Sequence, residues 1–305
     1  MNLEQGKKKK KYSLDKKSLA SYRKEQLKYS LRRFLGSRSF LIGATLVLFF
    51  IIVAIFADFL APYDPLVIDS KNGLAPISAS HPFGTDDLGR DTLSRVIFGS
   101  RISISVGLLS SIIATSLGVI VGSIAGFYEG IVGTVLMRIM DAMFSFPAIL
   151  LAIVLVAILG AGTDNAIIAI GIVYIPIFAR VVRSAVISKK KSGYVLSAEA
   201  LGKSNIGILY HHVMPNCLGI IIVQSTACFA ESIIFESGLS FLGLGTQPPT
   251  PSWGRMLTDS RSYMDSSPLT AFFPGIAISL LVLGFNLLGD GLRDILDPRL
   301  SRSSL

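Results

Sequence analysis

Charge is the first thing this sequence lacks. Asp, Glu, Lys and Arg make up 16% of its 305 residues, where a soluble domain carries about 25%. With 51% hydrophobic residues and a mean hydropathy of +0.60, the composition points away from a soluble protein. Cysteine is nearly absent too. Cys217 and Cys228 lie on one predicted helix, about 16 Å apart along its axis. A disulfide needs Cα atoms within about 7 Å, so the two cannot pair with each other, and both read as small apolar fillers. Histidine is limited to His81, His211 and His212. Neighbouring histidines on a helix point about 100° apart, whereas a metal clamp uses i,i+4 spacing. There is no HExxH run and no Ser-His-Asp arrangement. Gly202-Lys203-Ser204 imitates the end of a phosphate-binding loop, but that motif needs glycine where Ser197 stands and a buried strand in front. No catalytic residue, no metal site and no cofactor bound by this chain are therefore expected.

Long apolar runs fill the space that charge leaves. Uncharged stretches cover 39–57, 102–128, 142–163 and 266–289. Two more are interrupted near one end: 165–179 runs on past Arg180 and Arg183, and 217–230 past Glu231. A span needs roughly 20 apolar residues, and hydrocarbon offers no partner to an unpaired backbone group, so each must be helical. The expected fold class is an all-α membrane protein with six transmembrane helices.

The net charge of +9 is distributed unevenly. Residues 1–39 hold 13 of the 29 Lys and Arg but only three acids (Glu4, Asp15, Glu25), leaving 16 basic and 17 acidic residues in the remainder. Such a tail beside a first span marks the cytoplasmic side and attracts anionic lipid headgroups; a nucleic-acid partner is not expected. The basic region is too long for a secretory signal, so the first span stays as an anchor. Six spans then return both termini to the cytoplasm. The inner segments carry Arg138, Arg180, Arg183, Lys189, Lys190, Lys191 and Lys203, while the outer loops 61–101 and 237–270 hold six basic and seven acidic residues. The expected organisation is a basic cytoplasmic tail at 1–38, an anchor helix at 39–60, an extracytoplasmic loop at 61–101, a transmembrane domain at 102–291 and a cytoplasmic tail at 292–305.

Within the first outer loop, Thr85 or Asp86 offers a cap, and Asp86/Arg90 with Asp91/Arg95 at i,i+4 predict a short surface helix. Gly118, Gly122 and Gly126 clear one face of the second span for close helix packing. Glu231 and Glu236, near the outer end of the fifth span, are candidates for a pathway or outer gate, because acids at membrane depth are expensive and tend to serve function. The polar segment 188–216 is too polar to span and too basic to face outward, which makes it a cytoplasmic docking surface.

Four stretches carry a family resemblance: HPFGTDDLGRDTLSRVIFGSR at 81–101, YVLSAEALGKSNIGILYHHVMPN at 194–216, FESGLSFLGLGTQPPTPSWGRML at 235–257 and NLLGDGLRDILDPRL at 286–300. Together the chain from about Phe34 to Leu300 resembles the second permease subunit of ATP-binding-cassette importers for dipeptides and oligopeptides, a family that also serves nickel and glutathione uptake. The resemblance implies the type I importer transmembrane fold and a bacterial plasma-membrane location. It also implies a heterodimer with a second permease subunit, two ATPase subunits that use ATP and Mg²⁺, and an extracytoplasmic solute-binding protein. The cytoplasmic loop would dock into the ATPases through Tyr194, Leu196, Ser197, Ala198, Glu199, Ala200, Gly202 and Pro215. Tyr194, Val195, Ile206 and Leu209 would bury in their cleft. The family's opening Glu falls on Leu196 and its first Ala on Ser197, so that Glu's ionic contact is not carried over; Glu199 follows one turn later. Gly202→Pro is expected to abolish coupling while leaving the subunit in the membrane. The rival is an ion-gradient-driven secondary transporter, which needs an acid midway along a span; the acids here cluster near helix ends.

Overall fold

The computed structural model describes residues 34–296; the basic tail before residue 34, and Arg299 and Arg302 beyond residue 296, lie outside them. Among the described residues the architecture is helical, with a single isolated bridge between Thr85 and Asp91. Helix α1 is Arg38–Ile55, opened by the Ser37 side chain accepting from the Phe40 amide. It breaks at Phe56 before the short α2, Ala57–Leu60. Helix α3 (Thr92–Phe127) is followed by α4 (Ile131–Phe144), α5 (Ala148–Leu159) and α6 (Thr163–Lys190). Two short helices come next: α7 (Gly193–Ala200) and α8 (Asn205–Ile208). The bundle closes with α9 (Leu218–Phe241), α10 (Trp253–Ser260) and α11 (Leu269–Leu296).

Five of these helices are long and apolar enough to cross a membrane, and the α4–α5 pair makes a sixth span if taken together. That pair is bent by 91°. The uninterrupted apolar run at 142–163 predicts one helix; its first residues instead end α4 and the rest form α5. Pro147 cannot donate its nitrogen and disfavours helical backbone in the residue before it, so the chain unwinds over 145–147 and restarts at Ala148.

Close helix contact is set by absent side chains. On α3 a Cβ at Gly118 would sit 2.2 Å from the Phe178 Cβ, one at Gly122 2.5 Å from the Ala179 carbonyl oxygen, and one at Gly126 2.9 Å from the Arg183 carbonyl oxygen. The glycine stripe therefore presses α3 against α6 within the subunit. A second such contact joins α1 to α11, where a Cβ at Gly43 would fall 2.4 Å from the Leu288 nitrogen. Val106, Ala114, Ile170, Tyr174 and Phe178 form a core between α3 and α6, to which α5 adds Ala152 and Val156.

The loop that precedes α3 departs from the expected surface helix. Residues 84–90 form a tight turn, with Gly84 and Gly89 at φ of +73° and +76°. The helix cap is Asp91, whose carboxylate accepts from the Ser94 amide and hydroxyl at 2.8 and 2.7 Å. From there α3 runs unbroken for 36 residues into the bundle. The Asp86–Arg90 pair forms at 2.6 Å, but Asp91 meets His81 at 2.9 Å rather than Arg95. Spacing alone favours i,i+4 pairing; the extended turn rotates Asp91 out of register and leaves Arg95 to find partners elsewhere.

Candidate functional site

The end of the bundle holding Phe127, Lys190 and Leu218 carries a helical knuckle. Helix α7 ends in two backbone bonds, from Gly202 N to Glu199 O at 2.9 Å and from Lys203 N to Ala198 O at 3.2 Å. This double closure requires a left-handed residue after the helix, and Gly202 supplies it at φ +77°. Ser204 then caps α8 by accepting from the Gly207 amide at 3.3 Å. The chain widens into a π-helical turn through Leu209–Val213, then tightens at Met214–Asn216, containing Pro215, before α9 begins. Lys203 Nζ lies 2.9 Å from His212 Nε2, and His211 Nδ1 lies 3.1 Å from the Gly207 carbonyl oxygen. Lys203 and Ser204 thus serve the loop's own structure.

The knuckle has two faces. Val195, Ala198, Ile208, Leu209, Val213 and Cys217 pack against Phe127, Val182 and Val186 of the bundle. This corrects the expectation that Val195 and Leu209 are free to bury in a partner: they are 2% and 7% exposed. The opposite face presents Tyr194, Leu196, Ile206 and Tyr210, with Leu201 at its tip 87% exposed. Ser197, Glu199 and Ala200 are exposed too, and the Ser197 hydroxyl is held by the Gly193 carbonyl at 2.8 Å. Leu201 and Tyr210 escape the sequence pattern because nothing in it says which apolar residues the bundle claims first. Behind the knuckle lies a pocket of about 310 Å³ lined by Glu129, Lys190, Glu199 and Asn205. Lys190 Nζ donates to the Phe127 carbonyl at 2.9 Å, tying α6 to the end of α3.

The opposite end is an ion-locked cap. Arg95, 2% exposed, reaches Asp86 at 3.4 Å, Asp259 at 3.9 Å and the Pro65 carbonyl at 3.1 Å. Asp259 also meets Arg255 at 2.9 Å and Arg90 at 3.8 Å. Burial pushes the Asp259 carboxyl above its ordinary range, against the pull of Arg255, Arg95 and Arg90. The cluster joins the 61–91 loop to α10 across the sequence. Trp253, fully buried, adds an apolar wedge: its Nε1 donates to the Val96 carbonyl at 2.8 Å, and its ring stands edge-on to Phe50 at 5.5 Å.

Glu231 and Glu236 part company. Glu231 is exposed on α9 near Tyr174 of α6. Glu236 is fully buried; its Oε1 accepts from the Ser240 and Thr246 hydroxyls at 2.7 and 3.2 Å, and its Oε2 has no partner among the described residues. Thr246 in turn accepts from the Thr163 hydroxyl at 3.2 Å, so Glu236 ties the loop after α9 to the start of α6. Among the described residues no group of three His, Cys, Asp or Glu side chains could hold a metal ion. Both cysteines are free and buried.

The geometry is thus a bundle of apolar helices with one sharply bent helix pair, a knuckle with an exposed apolar face at one end and an ion-locked cap at the other. Residues 118–302 match the family of binding-protein-dependent transport system inner membrane components, and 25–76 match the N-terminal transmembrane domain of oligopeptide transport permease C. The chain is 47% identical over 260 residues to a dipeptide transport system permease protein of Alkalihalophilus pseudofirmus, covering 85% of this chain and 86% of the relative. It is 44% identical over 270 residues to a glutathione transport system permease protein of Pectobacterium atrosepticum, covering 88% and 90%. An inward-facing methionine ABC transporter, MetNI, superposes with a TM-score of 0.57 at 16% identity, over 67% of this chain and 97% of that one. The chain belongs to the ATP-binding-cassette importer permeases, in the peptide-transport branch represented by oligopeptide permease C, and its fold is the type I importer fold.

Proposed function

We propose that this subunit forms half of the translocation pathway of an ATP-driven importer of dipeptides or of a related peptide such as glutathione, in the bacterial plasma membrane with both termini cytoplasmic. Its partners are a second permease subunit, two ATPase subunits that bind ATP and Mg²⁺, and an extracytoplasmic solute-binding protein. This chain then has no catalytic part of its own. It transmits motion through the knuckle, and Glu231 and Glu236 belong to the pathway or its outer gate. One observation carries the reading: the knuckle is seated on the bundle by one face, while Leu196, Leu201, Ile206 and Tyr210 stand in the open on the other. A large apolar patch that the subunit leaves uncovered marks a protein contact. Alternating access needs such a contact to differ between two states of the ATPases.

The test is Leu201→Glu in the complete transporter. Leu201 is 87% exposed, so the subunit should fold and insert normally. Co-purification of the ATPases and ATP-dependent uptake are both expected to fall about tenfold or more, as for a central interface residue worth ~1.4 kcal/mol or more. Unchanged ATPase recovery and uptake would remove the docking role.

A further inference from the structure

Helix α6 carries two guanidiniums just past its uncharged stretch, 165–179. Arg180 lies ten residues and Arg183 seven residues before Lys190 at the helix end, about 15 and 10 Å along the axis. Both sit inside a helix long and apolar enough to span. An arginine facing hydrocarbon at mid-helix costs about 2.5–3.5 kcal/mol even on the most lenient scale, and such residues turn to protein or to water-filled space. Arg180 pairs with Asp141 of α4 at 2.7 Å, yet both side chains stay nearly half exposed, at 43% and 46%. Its guanidinium lies 4.3 Å from the Phe144 ring, beside the break between α4 and α5. Arg183 has no such partner: its Nε is buried and unbonded among the described residues. Between them opens a pocket of about 220 Å³ lined by Met137, Arg180, Arg183, Ser184 and Ile187. Among the described residues Asp141 is the one acid within ion-pair distance of either arginine, and it meets Arg180 rather than Arg183.

We propose that Arg180 and Arg183 form a water-accessible station for the carboxylate of the passing solute, on the stretch of α6 next to the broken span. A guanidinium with unused donors is suited to a planar carboxylate, which it can take bidentately. Asp141 holds Arg180 in place and is the anion with which the solute competes. Dipeptides and glutathione, which name the relatives' cargoes, share a free carboxylate, so the station suits the feature the two have in common. The inference rests on the reading of this subunit as part of a solute pathway.

The experiment places a thiol inside the pocket as Ser184→Cys in the complete transporter in nanodiscs, and compares methanethiosulfonate reagents bearing an anionic sulfonate, a cationic trimethylammonium or no charge. Mass spectrometry reads modification at position 184, separately from the buried Cys217 and Cys228. The anionic reagent is expected to react about tenfold faster than the cationic one, the scale of electrostatic focusing in a charged cleft. Adding Arg180→Gln and Arg183→Gln should erase that preference without changing the neutral reagent's rate. Sodium acetate should slow the anionic reagent more than sodium chloride at equal ionic strength. A thiol inert to all three reagents would place the arginines against lipid or a partner subunit and overturn the proposal. Equal anionic and cationic rates, or acetate acting no more than chloride, would overturn it as well. ATP-dependent uptake measured on the same preparation separates the two readings: if it persists while the anionic preference is absent, the station falls and the importer stands.

Discussion

Trp253→Ala is the sharpest test of how the ion-locked cap is built. The indole is the largest fully buried side chain of the described residues. It bridges three elements: α10, which carries it; α3, through the Val96 carbonyl at 2.8 Å and Gly99; and α1, through the Phe50 ring. At Gly99 even a Cβ would stand 2.8 Å from the indole Cδ1, so no neighbour can slide in without moving the α3 backbone. Poor collapse puts the truncation near the upper part of the usual range of about 3–5 kcal/mol for removing a buried aromatic. The lost indole hydrogen bond, worth about 0.5–1.5 kcal/mol, is part of that total. Trp253→Phe should refill most of the space and lose the donor, costing about 1–2 kcal/mol. Reversible unfolding in mixed detergent micelles measures both, since every ~1.4 kcal/mol is a tenfold change in the folding constant. Proteolysis at 242–268 should accelerate in the same order, because α10 also delivers Asp259 to Arg95. An alanine variant within ~1 kcal/mol of the parent would refute the wedge, as would a phenylalanine variant no better than alanine.

Three other outcomes follow from the same geometry. Gly122→Ala would place its Cβ 2.5 Å from the Ala179 carbonyl oxygen, so α3 and α6 must separate; a loss of about 1–3 kcal/mol is expected by the same titration, with Gly275→Ala, which meets nothing within 4 Å, as the silent comparison. Arg95→Met leaves Asp86 and Asp259 short of a buried partner and should lower stability by about 3–5 kcal/mol, read as a fall in the melting temperature of the purified subunit. Glu236→Gln keeps an oxygen for the Ser240 and Thr246 hydroxyls and should cost under ~1 kcal/mol, whereas Glu236→Leu strands both and should cost about 2–3 kcal/mol; equal effects would show that the hydroxyl contacts do not matter.

The elements legible in advance are those whose signal is local. The glycine stripe at Gly118, Gly122 and Gly126 reads as helix packing, and it packs on α6. The positive φ at Gly202 follows from a glycine placed after a short helix pattern. The loop's split into a seated face and an open face was not legible. Val195 and Leu201 are equally apolar in the sequence, and only the position of Val182 and Val186 decides that the first is covered and the second is not. The predicted helix at 85–95 failed for a related reason. Correct i,i+4 spacing was present, but Gly84 and Gly89 in left-handed turns rotate Asp91 toward His81.

By itself the sequence determined the solvent, the all-helical fold class and the family. Each rests on composition over some twenty residues or on contiguous motifs, and hydrocarbon allows few ways to satisfy a backbone. Tertiary structure alone decided that the α4–α5 pair bends by 91°, that Arg95 is locked by Asp259, 164 positions away in the chain, and that Glu236 is a buried knot while Glu231 is open. Those outcomes depend on which distant atoms arrive within a few ångströms. Hydrophobic periodicity sets which face of a helix turns inward, but the identity of what it meets comes only from the packing of the whole bundle.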